Sequence, residues 1–428
     1  AGRVPALALL LLPRGPKCCG YSMNPGVNGS EVAWPLLGYG GDHIPDNSPF
    51  KRFVNEGRSV EEVVEYLRLH DSSVRFGYHF DAKKVAAYFK EIALSKGVFH
   101  IDGNVSDVEI SPCGKVRKLL FKEGGYIEPD FVVDCSGMRR AVSSKLHGFK
   151  YNSFDHLLVD RAIGFFLPHE LTGFSLLTDA IAMKHGWMWV IPTKDRSGCG
   201  YVFSSQHCDE NLAKLEVEEY FGTEIDVPIS HSFKSGVQQE VLSGNVLSVG
   251  LCAGFVEPLE ATSIGQTISQ LNDFSKLVYE NGYLIGGRGV DRFNGRVRDA
   301  FFDIAEFIHM HYLGGRVDTE FWRDIKEKAI LNPGVKGRLG LLSERLPRDV
   351  DSKGFGKLPQ LYFSEFSYFS VYRELGLITD CVIEREMGEI DSELLGEMVE
   401  KINEIISGQH VSKQRREHEV VRYPTPCT

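Results

Sequence analysis

The chain has 428 residues, 43% hydrophobic and 25% charged, a balance that supports a sizeable core and, by length, two to three domains or one intergrown α/β enzyme. Its formal net charge of -10 argues against nucleic acid as a partner, since phosphate binding requires the opposite sign. Nine cysteines occur without a C-x-x-C pair or a His/Cys spacing suited to zinc, so no metal site is expected and the thiols read as reduced, in a cytoplasmic protein.

The apolar run Val4 to Leu12, preceded by Arg3, is too short to span a bilayer. With no A-x-A site after it and Ala at position 1, it reads as an incomplete N-terminus rather than a signal, and no membrane partner is expected. Residues 1 to 58 hold turn formers such as Asn24-Pro25-Gly26 and Asn47-Ser48-Pro49, predicting loops. Ser59 and Glu62 form a capping box ahead of a helix with Val60, Val63, Val64 and Leu67 on one face.

A better helix is predicted from Asp81, with Val85, Tyr88, Phe89 and Ile92 at helical spacing and Gly97 as its stop. Strands are expected at Val98 to Ile101, Val105 to Ile110, and from Phe131 into the polar turn Asp134-Cys135-Ser136-Gly137-Met138-Arg139. Cys135 lacks a local general base and reads as a small buried packing residue. Between about 150 and 240 the pattern alternates, at Leu157 to Val159, Ile163 to Phe166, Trp187 to Ile191 and Tyr201 to Ser204, predicting an antiparallel sheet. Trp187 and Trp189, two apart on a strand, share a face that is either a substrate wall or ordinary core.

The chain is organised around Gly244 to Gln270. A buried strand, Val246 to Val249, feeds a Gly-punctuated turn, the bend Glu257-Pro258-Leu259-Glu260, and a helix opening near Thr262 or Ser263. Such a corner binds anions, because unpaired N–H groups and the helix dipole point into it. Glu260 is then either a helix-start carboxylate favoured by the same dipole or a group placed for chemistry. Beyond it, Val297, Phe301, Ile304, Ile308 and His311 mark a helix ending near Tyr312, and Asp318 to Trp322 opens another, stopped at Asn332-Pro333. Tyr362, Phe363, Phe366, Tyr368, Phe369 and Tyr372 form an aromatic cluster that is either a pocket lining or core. A last amphipathic helix is expected at 391 to 406, then a mobile charged tail from Lys413.

The bend Gly254-Phe255-Val256-Glu257-Pro258-Leu259-Glu260-Ala261-Thr262-Ser263-Ile264 and the strand Trp187-Met188-Trp189-Val190-Ile191-Pro192 resemble two motifs of the flavin-dependent tryptophan halogenases. His79-Phe80-Asp81-Ala82, the turn from Asp134 to Arg139, and Phe307 to Trp322 resemble further parts of that family, so that the likeness covers about residues 78 to 380. It implies an α/β (α+β intergrown) fold: an FAD/NAD(P)-binding Rossmann-like domain, an antiparallel substrate sheet and a C-terminal helical region. The corresponding division is an atypical or incomplete region 1–77, a flavin-binding domain from 78–150 and 240–280, a substrate-facing sheet 151–239, helices 281–410 and a tail 411–428.

The resemblance implies FAD, reduced by a separate flavin reductase, and a chloride or bromide ion oxidised to hypohalous acid that halogenates a small electron-rich aromatic such as an indole. Glu260 would be catalytic, and Val105, Ser136, Gly137, Leu251, Pro258 and Ile264 would contact the cofactor. Thr262 and Ser263 would hold the halide, with Trp187, Trp189 and Phe255 on the substrate side. Ala261 stands where the family usually has Ser. A homodimer is left open. No G-x-G with strand-before, helix-after context continues to the third glycine of a pyrophosphate fingerprint, and the family's lysine is not recognisable, Lys17 and Lys51 lying in the wrong settings. Two rival readings therefore stay open. One is a flavin monooxygenase or reductase, whose corner would carry Gly-Asp-Ala-Ala-His instead of Gly250-Leu251-Cys252-Ala253-Gly254; the other is an inactive remnant, which FAD retention would distinguish.

Overall fold

The computed structural model describes residues 79–173, 178–280, 287–348, 351, 362–363, 365–393 and 396. The readings on residues 1–78, the 411–428 tail and most of the helix expected at 391–406 lie outside these. In chain order the first elements are helix α1 (Ala82–Ser95) and strands β1 (Val105–Ile110), β2 (Val116–Phe121), β3 (Tyr126–Ile127), β4 (Val132–Asp134), β5 (Tyr151–Ser153) and β6 (Arg161–Leu167). There follow α2 (His169–Thr172), β7 (Asp179–Ala182), β8 (Gly186–Pro192), β9 (Ser197–Phe203), α3 (Glu210–Phe221), β10 (Ile229–Ser232), β11 (Gly236–Gln238), β12 (Leu242–Ser243), β13 (Val246–Ser248) and β14 (Gly254–Phe255). The rest is helical: α4 (Ser263–Glu280), α5 (Arg288–His311), α6 (Glu320–Leu331), α7 (Pro333–Glu344), α8 (Glu365–Glu374) and α9 (Asp380–Gly388).

α1 starts where expected because the Asp81 carboxylate accepts the Lys83 and Lys84 backbone N–H groups at 2.9 and 3.1 Å. Its apolar face is only partly covered, however: Val85 and Ile92 are half-buried, and no residue of α1 is fully buried. The strand expected at Val98 to Ile101 does not form. No neighbouring strand pairs with it among the described residues, and Phe99 is 85% exposed. Leu157 to Val159 is likewise not a strand but a buried irregular segment, the ambiguity inherent in a short apolar run.

β4 lies parallel to β13, which also pairs antiparallel with β12, giving the order β12-β13-β4. This parallel pair delivers the turns after Asp134 and after Ser248 side by side, the geometry in which α/β sheets build ligand sites. The antiparallel sheet expected from the alternating pattern is present, five-stranded, in the order β10-β6-β9-β8-β7. Alternation along β8 sorts its side chains: Trp187 and Trp189 turn toward the large core shared with α5, while Met188 and Val190 join Phe165, Tyr201 and Ala213 of α3.

Asn332 divides α6 from α7. Its N–H closes α6 onto the Lys328 and Ala329 carbonyls, and its side-chain oxygen accepts the Gly334 and Val335 N–H groups. Pro333 thus begins a helix instead of merely stopping one. Four of the aromatic cluster's side chains, Phe363, Tyr368, Phe369 and Tyr372, are core: Phe363 stacks on Phe307 with ring centres 3.9 Å apart, Tyr368 meets Phe307 edge-on, and Tyr372 is 1% exposed.

Across the sheet, Trp189 pairs with Gly200, and a Cβ on that glycine would lie 2.0 Å from the indole ring. Gly200→Ala is expected to displace Trp189 and cost about 1–3 kcal/mol. A denaturant midpoint indistinguishable from that of the unmodified chain, with unchanged Trp fluorescence, would contradict this contact.

Candidate functional site

From β13 the chain enters a 3-10 turn, Gly250–Cys252, in which Gly250 has φ 63°. It then crosses β14 and makes a second 3-10 turn, Pro258–Glu260, before α4 opens. Ala261 joins that second turn to the helix at φ 49°. The other non-glycine residue with positive φ among the described residues, Arg140, lies in the turn alongside. Each such residue costs roughly 1–2 kcal/mol relative to ordinary helical backbone, so this corner is held by its surroundings rather than by local preference.

A buried polar lattice does the holding. The Asp134 carboxylate accepts the Ser136 hydroxyl at 2.6 Å and the Ser136, Val142 and Ser143 N–H groups at 2.8–3.1 Å. Burial alone would raise its pKa, but these bonds hold it below the ordinary value. The Arg140 guanidinium donates to the Cys252 carbonyl at 3.2 Å, and the Gln238 amide donates to the same carbonyl at 2.7 Å. Gln270 of α4 donates to the Ser248 carbonyl at 2.7 Å. Ser136 is therefore committed to the turn, since its hydroxyl also accepts the Ala141 N–H. Cys135, read as buried, is exposed, because the strand ends at Asp134 and turns it outward.

Two concavities border this lattice. One, with room for about one water-sized sphere (about 10 Å³), is lined by Gly250, Gly254, Thr262, Ser263, Gln266 and Phe301 among others. Glycine is needed at its wall, for a Cβ on Gly254 would lie 2.9 Å from the Gly236 carbonyl oxygen and 3.0 Å from the Phe301 ring. The Gln266 side-chain oxygen is buried there without a hydrogen-bond partner. The other is an open cleft of about 490 Å³ bringing Val105 together with Asn104, Lys122 and Arg139. Leu251 and Ile264 are exposed, Pro258 opens the second 3-10 turn, and Gly137 opens a 3-10 turn beside Gly250–Cys252.

Glu260 is neither in solvent nor in the first turn of α4. Its side chain is 12% exposed, and its Oε1 lies 2.6 Å from His311 Nε2 at the C-terminal end of α5. Burial would lower the His311 pKa, but the Glu260 carboxylate, the Phe307 carbonyl and Glu257 outweigh it and hold His311 above its ordinary value. The next residue, Tyr312, donates its hydroxyl to Glu257. Glu257 is wholly buried, its second oxygen has no partner, and burial pushes its carboxyl up to about 7. The Trp187 indole lies close enough to Glu257 to oppose that rise, and its own N–H is buried without a partner that satisfies hydrogen-bond geometry. Trp189 is half-buried 5.9 Å from Trp187, ring to ring, and Phe255 meets Phe233 edge-on at 5.1 Å.

Glu257, Tyr312 and the partnership of His311 were not singled out from sequence. The signal was present in the two carboxylates of Glu257-Pro258-Leu259-Glu260 and in adjacent polar side chains, His311 and Tyr312, ending an otherwise apolar helix face. His79 binds the Pro192 carbonyl at 2.7 Å and Thr178 at 3.0 Å, so it anchors the start of α1 to the end of β8.

The family model for tryptophan halogenase matches residues 44–386. The chain belongs to the tryptophan halogenase family. The match begins upstream of the motif-bearing stretch read from sequence, which started near residue 78. Tryptophan 6-halogenase ThaL of Streptomyces albogriseolus is 31% identical over 320 residues, 72% of this chain and 60% of the relative. Tryptophan 7-halogenase RebH of Lentzea aerocolonigenes is 31% identical over 332 residues, 73% of this chain and 62% of the relative. This family member thus spans about three fifths of the length of these two curated relatives. BrvH, a flavin-dependent halogenase from Brevundimonas sp. BAL3, superposes with a TM-score of 0.67 at 26% identity, covering 80% of this chain and 68% of that one. The Rossmann-like, mixed α/β architecture expected from sequence is the one this chain shares with BrvH. No helix among the described residues is long and apolar enough to cross a membrane.

Because Glu257 ionises in the unfolded chain near 4.5 but stays protonated in the folded one to about 7, its contribution is full below pH 4.5 and lost as pH rises through 7. Glu257→Gln, which keeps an acceptor for Tyr312 but cannot ionise, should flatten stability over that window by up to about 3 kcal/mol. Parallel pH profiles of thermal midpoint for the two proteins would refute the buried, protonated state.

Proposed function

We propose that this chain is a flavin-dependent halogenase acting on an electron-rich aromatic of the tryptophan or indole class, with FAD reduced by a separate reductase and chloride or bromide as co-substrate. The observation that carries this reading is the fixed Glu260 carboxylate beside a helix N-terminus that also borders a small cavity, with room for about one water-sized sphere.

The residues present fit a flavin at this corner. Glycines 250 and 254 leave its wall free of side chains, the Gln266 oxygen is an unpaired buried acceptor, and apolar Leu251 and Ile264 stand exposed beside it. Val105, Ser136, Gly137, Leu251, Pro258 and Ile264 are the residues we assign to holding it. When bound, reduced flavin together with oxygen supplies the oxidising equivalents that turn halide into hypohalous acid.

The protein's own part is electrostatic and positional. The first N–H groups of α4, at Thr262 and Ser263, have no partner within the helix, and the dipole favours an anion there. We assign these residues to the halide. Glu260, an acceptor-only group when ionised, stabilises the positive charge that an arene acquires when halogen adds to it. It then receives the ring proton, leaving a halogenated arene and a protonated carboxyl. Trp187, Trp189 and Phe255 supply the aromatic side of the substrate compartment in this reading. The cytoplasm, where a flavin reductase is available, is the compartment it requires.

The decisive assay supplies a flavin reductase, FAD, oxygen and bromide to a panel of indoles and phenols and detects brominated product by mass spectrometry. Turnover of at least one member is expected, with kcat lowered about 10²-fold in Glu260→Gln. Equal turnover by both proteins would take Glu260 out of the reaction.

A further inference from the structure

We infer that His311 is the positioning residue of Glu260: as an imidazolium fixed by its own helix, it holds the carboxylate turned so that one oxygen stays free for substrate. This rests on the halogenase reading for its chemical purpose, but the pair itself follows from hydrogen-bond bookkeeping.

His311 Nδ1 lies 2.9 Å from the Phe307 carbonyl oxygen, one helical turn back. A carbonyl can only accept, so Nδ1 carries a hydrogen. In a neutral ring Nε2 would then be a bare acceptor, yet it faces Glu260 Oε1 at 2.6 Å, where two acceptors would repel. A proton must therefore lie between them.

Two features put that proton on the ring. His311 is the last residue of the 24-residue α5, where the helix dipole favours a cation. The titratable groups that face it are Glu260 and Glu257, from the Pro258–Glu260 turn and the residue before it; Glu260 is the main charge, and Glu257, which burial keeps protonated to about pH 7, adds its own only above that. From its own helix it meets the Phe307 ring edge-on at 5.1 Å, and Tyr312 beside it is engaged with Glu257. The 2.6 Å separation is short for a nitrogen–oxygen bond, the direction in which charge shifts it. At 19% and 12% side-chain exposure the two groups are shielded from salt and competing water. Glu260 Oε1 is consequently occupied, and the second oxygen is the one available to an arene.

The readout is the imidazole nitrogen spectrum of the full chain labelled with 15N-histidine, with His311 assigned by the signals lost in His311→Gln. At pH 7.5 His311 should carry protons on both ring nitrogens, and in Glu260→Gln it should become neutral with the hydrogen on Nδ1. In the bromination assay His311→Gln should lower kcat about 10- to 100-fold with KM changed less than about twofold. It should also lose the alkaline limb of the kcat profile, because the raised His311 pKa means its positive charge disappears as pH climbs. A His311 that is neutral at pH 7.5, or whose state is the same in Glu260→Gln, overturns the inference even if bromination proceeds. If no arene is turned over, the halogenase reading fails while the spectrum still decides the pair; should His311→Gln not fold, His311→Asn supplies the assignment, and the Glu260→Gln spectrum is read against it.

Discussion

The grip of one helix end on one turn is the constraint from which the rest follows. Two consecutive residues closing α5, His311 and Tyr312, each take one carboxylate of the Glu257 to Glu260 turn. Burying carboxyl groups is costly unless they are paired or protonated, and here both solutions occur three residues apart. Glu260 meets a cation, and Glu257 keeps its proton behind a tyrosine hydroxyl. α5 can serve as the clamp because its inner face, including Phe301, Ile304, Phe307 and Ile308, is buried in the main core. The turn is therefore positioned by the same hydrophobic packing that unites the helical region with the antiparallel sheet.

The exits of the parallel pair β4 and β13 are held by contacts of a different kind. There Asp134, Gln238 and Gln270 join the two strand exits to each other and to α4, each buried and each hydrogen-bonded. A network of this kind is rigid when complete and costly when broken. It accounts for the left-handed Arg140, whose neighbours Val142 and Ser143 it binds, while Ala261 is tied by its own N–H to the Pro258 carbonyl.

Much of this was legible in the chain because it is written in local patterns. Asp81 with Gly97 bounded α1, alternation gave the antiparallel sheet, and the strand-to-helix passage through Val246 and Ser263 fell where the Gly-punctuated turn put it. What stayed hidden depends on partners far away in sequence. Val98 to Ile101 has strand-forming residues but no neighbour to pair with, and Leu157 to Val159 is apolar because it is buried, not because it is extended. At the site, Glu260 stood out by its place next to an anion corner. Its partner, by contrast, is 51 positions along the chain and looks like one more residue on a helix face. Glu257 was unremarked for a related reason: only three-dimensional enclosure distinguishes a carboxylic acid from an ordinary carboxylate.

Ala261 has an evolutionary corollary. A left-handed residue joining the turn to α4 admits glycine, asparagine or another compact side chain, whereas a β-branched or bulky one would collide with its own backbone. Selection therefore has little room to retune the adjoining cavity from position 261. Variation in cavity size among descendants of this chain must instead enter through lining residues on regular backbone, such as Val256 and Phe301, where volume can change without rewiring the joint.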